Sequence, residues 1–171
     1  LRDAAGVPPV PRVAAFRRWA REQAFSPVLG RGLADAPRVD LSLDSPLTVE
    51  GGRERPFPAW AADIEARRVA AKAPAAVGDH DETRLLYRSD AFAEAREDGP
   101  EPRTVHLGVD LFAPEGTEVF APLDGAVLSV QRNPAPLDYG PTVILEHAGE
   151  DGRPFFTLYG HLDEEVLGRL E

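Results

Sequence analysis

The sequence predicts a mainly β protein, with a core formed by an antiparallel sheet and preceded by a helix-containing N-terminal extension. From about residue 83 onward, short runs of alternating apolar residues are separated by turn residues, which is the pattern of β-strands. Before that point, two longer stretches carry apolar residues at helical spacing. The 17 prolines and 15 glycines among 171 residues agree with many turns and few long helices. We therefore predict an extension over residues 1–82 and a β core over residues 83–171.

The extension begins with a linker and a first helix. Residues 1–11 contain Pro8-Pro9-Val10-Pro11, which removes backbone donors and is typical of a linker. The helix is predicted from Arg12 to Phe25, where Ser26-Pro27 ends it. It either packs on its own domain, the interpretation we favour, or docks a neighbouring domain. Its apolar residues recur on one side: Val13, Phe16, Trp19, Ala20 and Ala24.

The second half of the extension holds short strands and a second helix. Val39 to Leu43 and Leu47 to Glu50 are predicted strands, followed by a break at Gly51-Gly52. Pro58 to Ala73 is rich in Ala, Glu and Arg, which favour a helix. The predicted buried side of this helix consists of Trp60, Ile64 and Val69. An ion pair between Asp63 and Arg67, four residues apart, is expected to support it.

The β core is predicted as a series of strands joined by turns. Arg84 to Tyr87 is expected to pair with the strand around His106, across an acidic loop from Asp90 to Arg103. The later predicted strands are Val119 to Ala121, Ala126 to Val130, Gly140 to His147 and Phe155 to Leu162, with a hairpin turn at Gly149 to Gly152.

Thr104 to Leu111 carries the residues that point to chemistry. As a continuous strand, it places His106, Gly108 and Asp110 on one face and apolar residues on the other. Gly108 leaves room for the imidazole and the carboxylate to converge on one ion, and both groups are ordinary zinc ligands. A histidine and an aspartate on a half-exposed strand are also common as solvated surface residues. Two ligands make only part of a zinc site, since catalytic zinc usually has three protein ligands and water.

Four segments in order resemble the lysostaphin-type (LytM-like) zinc endopeptidases of metallopeptidase family 23, the duplicated hybrid motif fold. The resemblance covers roughly the last 70 residues. The segments are His-x-Gly-x-Asp at His106 to Asp110, Ala-Pro-x-Gly-Thr with Ala-Pro-x-Asp-Gly-x-Val at Ala113 to Val127, Gly-x-x-Val-x-Ile-x-His at Gly140 to His147, and Thr-x-Tyr-x-His-Leu at Thr157 to Leu162.

The resemblance implies roles for three residues. It makes His106 and Asp110 zinc ligands and His161 the catalytic histidine beside the attacking water. It also implies hydrolysis of peptide bonds, with cross-link or stem peptides of peptidoglycan as substrates. The family's later His-x-His pair, which supplies a third ligand and a general base, is missing from this sequence. Because the chain stops at Glu171, we expect that pair to lie beyond it.

The remaining histidines receive no catalytic role. His147 is expected on the surface or in support of the ligands, and it is the spare candidate for a third ligand. His80 lies in an acidic polar loop, where solvation is expected. With two protein ligands, Zn²⁺ is expected to bind weakly or not at all to this stretch of chain.

Composition excludes several other functions. There are no cysteines, so thiolate zinc sites and a cysteine nucleophile are excluded. The formal charge of -10 argues against nucleic acid and against anionic membrane surfaces as partners. No apolar run is long enough for a signal peptide or a membrane-spanning helix, so membrane insertion is not expected. Localisation stays open, with a lean to the cytoplasm.

Two functions are carried forward. The first is a zinc metallopeptidase domain acting on peptide or peptidoglycan, incomplete or inactive over these residues alone. The alternative is a non-catalytic LytM-like module in a multidomain protein, for instance a cytosolic fusion of phosphotransferase-like and aminotransferase domains. The acidic charge and the expected neighbouring domains in a longer chain favour this alternative.

Overall fold

The computed structural model of the chain describes residues 11–84, 93–96, 99–102, 104–135 and 137–169. Across these ranges the chain forms twelve short or medium strands and three α-helices. All strand pairs are antiparallel except one, so the predicted mainly β class is confirmed. The chain divides into two compact units, unit 1 (Leu1–Val28 and Phe120–Glu171) and unit 2 (Leu29–Val119). The predicted domain boundary between residues 82 and 83 stays a prediction.

Unit 1 is built on a three-stranded antiparallel sheet in the order β10-β11-β12. The strands are β10 (Ala126–Asn133), β11 (Gly140–Ala148) and β12 (Pro154–Tyr159). A 3-10 turn at Glu150–Gly152 joins β11 to β12, as the glycine-rich hairpin predicted, and a short helix α3 (Val166–Arg169) follows. All three strands were predicted, although β12 ends at Tyr159 and not at Leu162.

The first helix, α1 (Pro11–Arg21), packs on the sheet of its own unit. The rings of Phe16 and Trp19 lie 5.0 and 5.5 Å from the ring of Phe155 on β12, both edge to face. Such aromatic contacts stabilise packing beyond the burial of area alone. The helix therefore packs within its own unit, as favoured from its periodicity, and it ends four residues earlier than predicted.

Unit 2 contains a second three-stranded sheet, of order β1-β4-β9, and three two-stranded ladders. β1 pairs parallel to β4, and β4 pairs antiparallel to β9. The ladders are β2-β3, β5-β8 and β6-β7. The elements are β1 (Arg38–Val39), β2 (Val49–Glu50), β3 (Arg53–Glu54), α2 (Phe57–Ala70), β4 (Ala76–Gly78), β5 (Glu82–Thr83), β6 (Ala93–Arg96), β7 (Gly99–Pro102), β8 (Val105–His106) and β9 (Asp110–Phe112).

The core of unit 2 joins α2 to the β1-β4-β9 sheet. Ile64 of α2 is 2% exposed and packs with strand and loop residues, as the helical spacing predicted. Val69, predicted on the same side, is 56% exposed, because α2 ends at Ala70 and its last turn leaves the core. The core residues are Val39, Leu41, Leu47, Ile64 and Ala76, with Trp60 and Phe112 packed against them.

Several local predictions differ from the structure. Asp63 contacts Arg55 at 2.8 Å and not the predicted Arg67, since the loop before α2 brings Arg55 alongside the helix. The strand predicted over Val39 to Leu43 is reduced to Arg38–Val39. Val119 to Ala121 is not a strand; the N–H of Phe120 donates to the Val28 carbonyl at 2.8 Å in an irregular connection.

The partner of the His106 strand begins earlier than predicted. Glu82 faces His106, and the N–H of Arg84 donates to the Thr104 carbonyl at 3.0 Å. Residues 85–87, the rest of that predicted partner, lie outside the described residues. Across the described ranges, none of the helices has both the length and the apolar character needed to cross a bilayer.

Candidate metal site

The predicted strand from Thr104 to Leu111 is broken in two. β8 ends at His106 and β9 begins at Asp110, with a bend between them at Gly108. The partner strands β4 and β5 are interrupted at the same level. Gly78 at the end of β4 pairs with Asp110, and Glu82 at the start of β5 pairs with His106, so each side of the ladder has four residues from one pair to the next. The β4-β9 and β5-β8 ladders thus have the same register, although the residues between them are unpaired.

The bend changes which residues are exposed. Leu107 and Val109, predicted on the apolar face of a continuous strand, are 72% and 58% exposed. The prediction of one continuous strand with an apolar face was wrong over these residues, since residues 107–109 and the opposite residues 79–81 are not paired as strands. His106 and Asp110 remain on paired segments at either side of the bend.

The structure brings His106 and Asp110 together. Nε2 of His106 lies 3.7 Å from Oδ1 of Asp110, and the two side chains are 17% and 31% exposed. A Cβ at Gly108 would sit 3.0 Å from both Cε1 and Nε2 of the His106 ring. Glycine is therefore needed here for space, as predicted: any side chain would press on the imidazole.

Two further charged residues lie beside this pair, and sequence reasoning did not assign them to the site. Nη1 of Arg84 lies 2.5 Å from Oδ2 of Asp110, and Nε of Arg84 lies 2.7 Å from Oε2 of Glu82. The side chains of Arg84 and Glu82 are each 9% exposed. The other oxygen of Glu82 accepts the backbone N–H of Leu41 at 2.8 Å. The available signal was alternation: Glu82 and Arg84 share a face of the strand that pairs with His106.

Burial favours the neutral form of the His106 imidazole. The largest influence on the pKa of His106 is burial, which lowers it from the ordinary value of 6.5. The positive charge of Arg84 also lowers this pKa, whereas the carboxylates of Asp110 and Glu82 and a backbone hydrogen bond with Asp79 oppose the shift. A neutral imidazole is the form that binds a metal ion.

The two donors fit two positions of a zinc coordination sphere. Ligand atoms at zinc bond lengths of about 2.0–2.1 Å in a tetrahedron are about 3.3 Å apart, so the pair needs to close by about 0.4 Å. No group of three or more His, Cys, Asp or Glu side chains is arranged around one point within the part of the chain that the structure describes. The ligand roles of His106 and Asp110 stay predictions.

His161 belongs to unit 1, directly after β12. It adopts a left-handed backbone conformation with a φ of 56°, and its N–H donates to the Tyr139 carbonyl at 2.6 Å. Its side chain is exposed. A Cβ at the preceding Gly160 would lie 2.9 Å from the Tyr139 ring, so glycine permits this close turn. Such a conformation is uncommon for a residue other than glycine and is often found at functional positions. The catalytic role of His161 stays a prediction.

His147 is neither a surface residue nor a free ligand. Its side chain is 1% exposed, and its ring stacks on Phe155 with centroids 4.9 Å apart. Nδ1 lies 2.9 Å from the Asp124 carbonyl and Nε2 lies 2.8 Å from the Thr157 hydroxyl. Both ring nitrogens are used by protein groups. The expectation of a surface position was wrong, because the ring is enclosed between Phe155 of β12 and the Asp124 carbonyl, whereas the alternative of a role in support of the metal ligands stays a prediction.

The fold and the site define a mainly β chain with a His/Asp pair on either side of a bend between two strands. Comparison with protein families gives the family, since residues 104–168 match the model of peptidase family M23. Over these residues, from β8 to α3, the chain is similar to a LytM-like metallopeptidase domain of this family. Comparison with curated proteins and with solved structures gives no match.

Proposed function

We propose that this domain is a zinc-dependent peptidase domain that hydrolyses peptide bonds. The observation that carries the proposal is the 3.7 Å separation of Nε2 of His106 and Oδ1 of Asp110. Gly108 lies between these residues in the chain, and a side chain there would press on the imidazole. An imidazole whose neutral form is favoured by burial, together with a neighbouring carboxylate, supplies the donors a zinc ion prefers. When bound, zinc would polarise the scissile carbonyl and make hydroxide available near neutral pH.

The remaining roles follow from the family. His106 and Asp110 would hold the metal, and His161 would be the catalytic histidine that hydrogen-bonds the attacking water. The left-handed backbone and exposed side chain of His161 are compatible with a residue placed for function. The third ligand would come from a group other than these three residues. Substrates would be short peptides of the cell wall, such as cross-link or stem peptides of peptidoglycan.

A second candidate function has an observation in its favour. The guanidinium of Arg84 already pairs with Asp110 at 2.5 Å, so this carboxylate has a charged partner without a metal ion, as a non-catalytic module would require. Such a module would serve as a scaffold within a multidomain protein, including the fusion with phosphotransferase-like and aminotransferase domains described above.

Calorimetric titration with zinc tests the ligand pair. The unsubstituted chain is compared with His106→Ala and Asp110→Ala, and each substitution should weaken zinc binding at least tenfold. His80→Ala, which removes an exposed imidazole from the same unit, serves as the control and should leave the affinity unchanged. Equal binding by all four proteins would remove His106 and Asp110 from any metal site.

Hydrolysis is tested separately. The chain is incubated with zinc and either pentaglycine or purified cell-wall stem peptides, and products are measured by mass spectrometry. Cleavage that is lost in His161→Ala, with zinc affinity retained, would support the catalytic role of His161. Cleavage that persists undiminished in that variant would contradict it.

A further inference from the structure

The Asp110 carboxylate is shared between two cationic positions. Oδ1 faces Nε2 of His106 at 3.7 Å, where a metal ion would bind. Oδ2 lies 2.5 Å from Nη1 of Arg84. An arginine side chain keeps its charge at every pH at which proteins are folded. One side of this candidate ligand is thus occupied by a fixed positive charge.

Arg84 is held firmly in that position. Its Nε contacts Glu82 at 2.7 Å, and both side chains are 9% exposed. Glu82 is in turn fixed by the N–H of Leu41 at 2.8 Å. A guanidinium that contacts carboxylates through two of its nitrogens is better ordered than a flexible ammonium group. Movement of Arg84 away from Asp110 would leave a buried charge with fewer partners, which is costly.

Arg84 reduces the negative charge that would attract a divalent ion to the cluster. With His106 neutral, Glu82 and Asp110 together carry two negative charges and Arg84 carries one positive charge. A bound Zn²⁺ would therefore leave the cluster with a net charge of about +1, whereas without Arg84 the same ion would neutralise it. In a half-buried site this difference is screened less than at the surface.

We propose that Arg84 is a built-in cation that competes with the divalent metal for Asp110, so that the His106–Asp110 pair binds zinc weakly while the ion pair is intact. The inference rests on the proposed function, because it assumes that this pair is the metal site. Arg84 is in this sense a positioning residue that sets the metal affinity of the site without contacting substrate.

Substitution of Arg84 tests the inference by zinc calorimetry. Arg84→Gln should bind zinc at least tenfold more tightly than the unsubstituted chain, a change of about 1.4 kcal/mol. Arg84→Lys keeps the positive charge and should remain within a few-fold of the unsubstituted affinity. Arg67→Gln, which removes the same charge from the exposed side of α2, should also leave the affinity unchanged. The gain in Arg84→Gln should disappear when Asp110→Asn is added.

A second comparison protects the test against misfolding. Since Arg84→Gln leaves Glu82 buried without its guanidinium, the substitution is repeated in a Glu82→Gln background. The double variant should again bind zinc at least tenfold more tightly than Glu82→Gln alone, with folding of both checked by circular dichroism. No gain in either background, or an equal gain in Arg84→Lys, would overturn the inference.

The two proposals fail in different ways. If zinc binding of the unsubstituted chain depends on His106 and Asp110 but not on Arg84, the inference is overturned and the ligand pair stands. If zinc binds equally well without His106 and Asp110, the proposed metal site is wrong, and the inference falls with it.

Discussion

Truncation of His147 to alanine is expected to destabilise the protein by about 3–5 kcal/mol, the range measured for removal of buried aromatic side chains. The ring is 1% exposed and stacks on Phe155 at 4.9 Å, so its removal leaves a cavity under the sheet of unit 1. Gly125 lies against the ring, since an added Cβ there would be 2.6 Å from Nδ1 of His147, and it has no side chain with which to fill that space.

Hydrogen bonding adds to this cost. Nδ1 lies 2.9 Å from the carbonyl of Asp124, and Nε2 lies 2.8 Å from the hydroxyl of Thr157. In His147→Ala the Thr157 hydroxyl can rotate towards another acceptor, whereas the Asp124 carbonyl is fixed in the backbone and loses its protein partner. A hydrogen bond contributes about 0.5–1.5 kcal/mol to stability, so the two lost bonds place the total in the upper part of the range. That is a large fraction of the roughly 5–15 kcal/mol by which domains are stable.

Urea unfolding followed by circular dichroism measures the effect. His147→Asn places an amide nitrogen where Nδ1 was, so it should keep the bond to Asp124 and lose less stability than His147→Ala. His80→Ala removes an exposed histidine and should change the free energy of unfolding by no more than about 0.5 kcal/mol. A loss below about 1 kcal/mol for His147→Ala would show that the ring is not a structural anchor.

Three further substitutions test other parts of the structure. Gly108→Ala places a Cβ 3.0 Å from the His106 ring and should weaken zinc binding about 10-fold to 100-fold in calorimetry, because ligand orientation tolerates little displacement. Ile64→Ala, at a site 2% exposed, should cost about 2–5 kcal/mol in urea unfolding. Hydrogen bonds from the Ser42 hydroxyl and backbone N–H lower the pKa of Asp40 from 3.8, so its ionised form stabilises the fold above that pH. This contribution is lost as the pH falls through the lower folded-state value, and Asp40→Asn should remove that part of the acid sensitivity.

Matched controls accompany these substitutions. A Cβ at Gly32 would meet no atom within 4 Å in the described structure, so Gly32→Ala should leave zinc binding unchanged. Val69→Ala, at a site 56% exposed, should cost far less stability than the change at Ile64. Asp35→Asn removes an exposed carboxylate and should retain the acid sensitivity. If a control behaves like its test variant, the corresponding argument is wrong.

Local pattern was sufficient for the three strands of unit 1 and for α1 and α2, whereas the predicted loop from Asp90 to Arg103 was wrong, because β6 and β7 pair within it. The strands β10, β11 and β12 were predicted because alternation and glycine-rich turns are properties of neighbouring residues. The helices α1 and α2 were predicted from apolar spacing, with errors of a few residues at their ends. The motif from His106 to Asp110 was recognised, and the family match over residues 104–168 confirms the resemblance.

The sequence by itself determined the fold class, the family and the pair of candidate ligands, since these depend on short-range periodicity and motif order. Tertiary structure decided the bend at Gly108, the burial of His147 and the ion pair of Arg84 with Asp110. The physical reason is that burial and charge pairing depend on residues far apart in the chain. Arg84 meets Asp110 only because β5 and β8 pair in the same register as β4 and β9, and no local pattern reports that register.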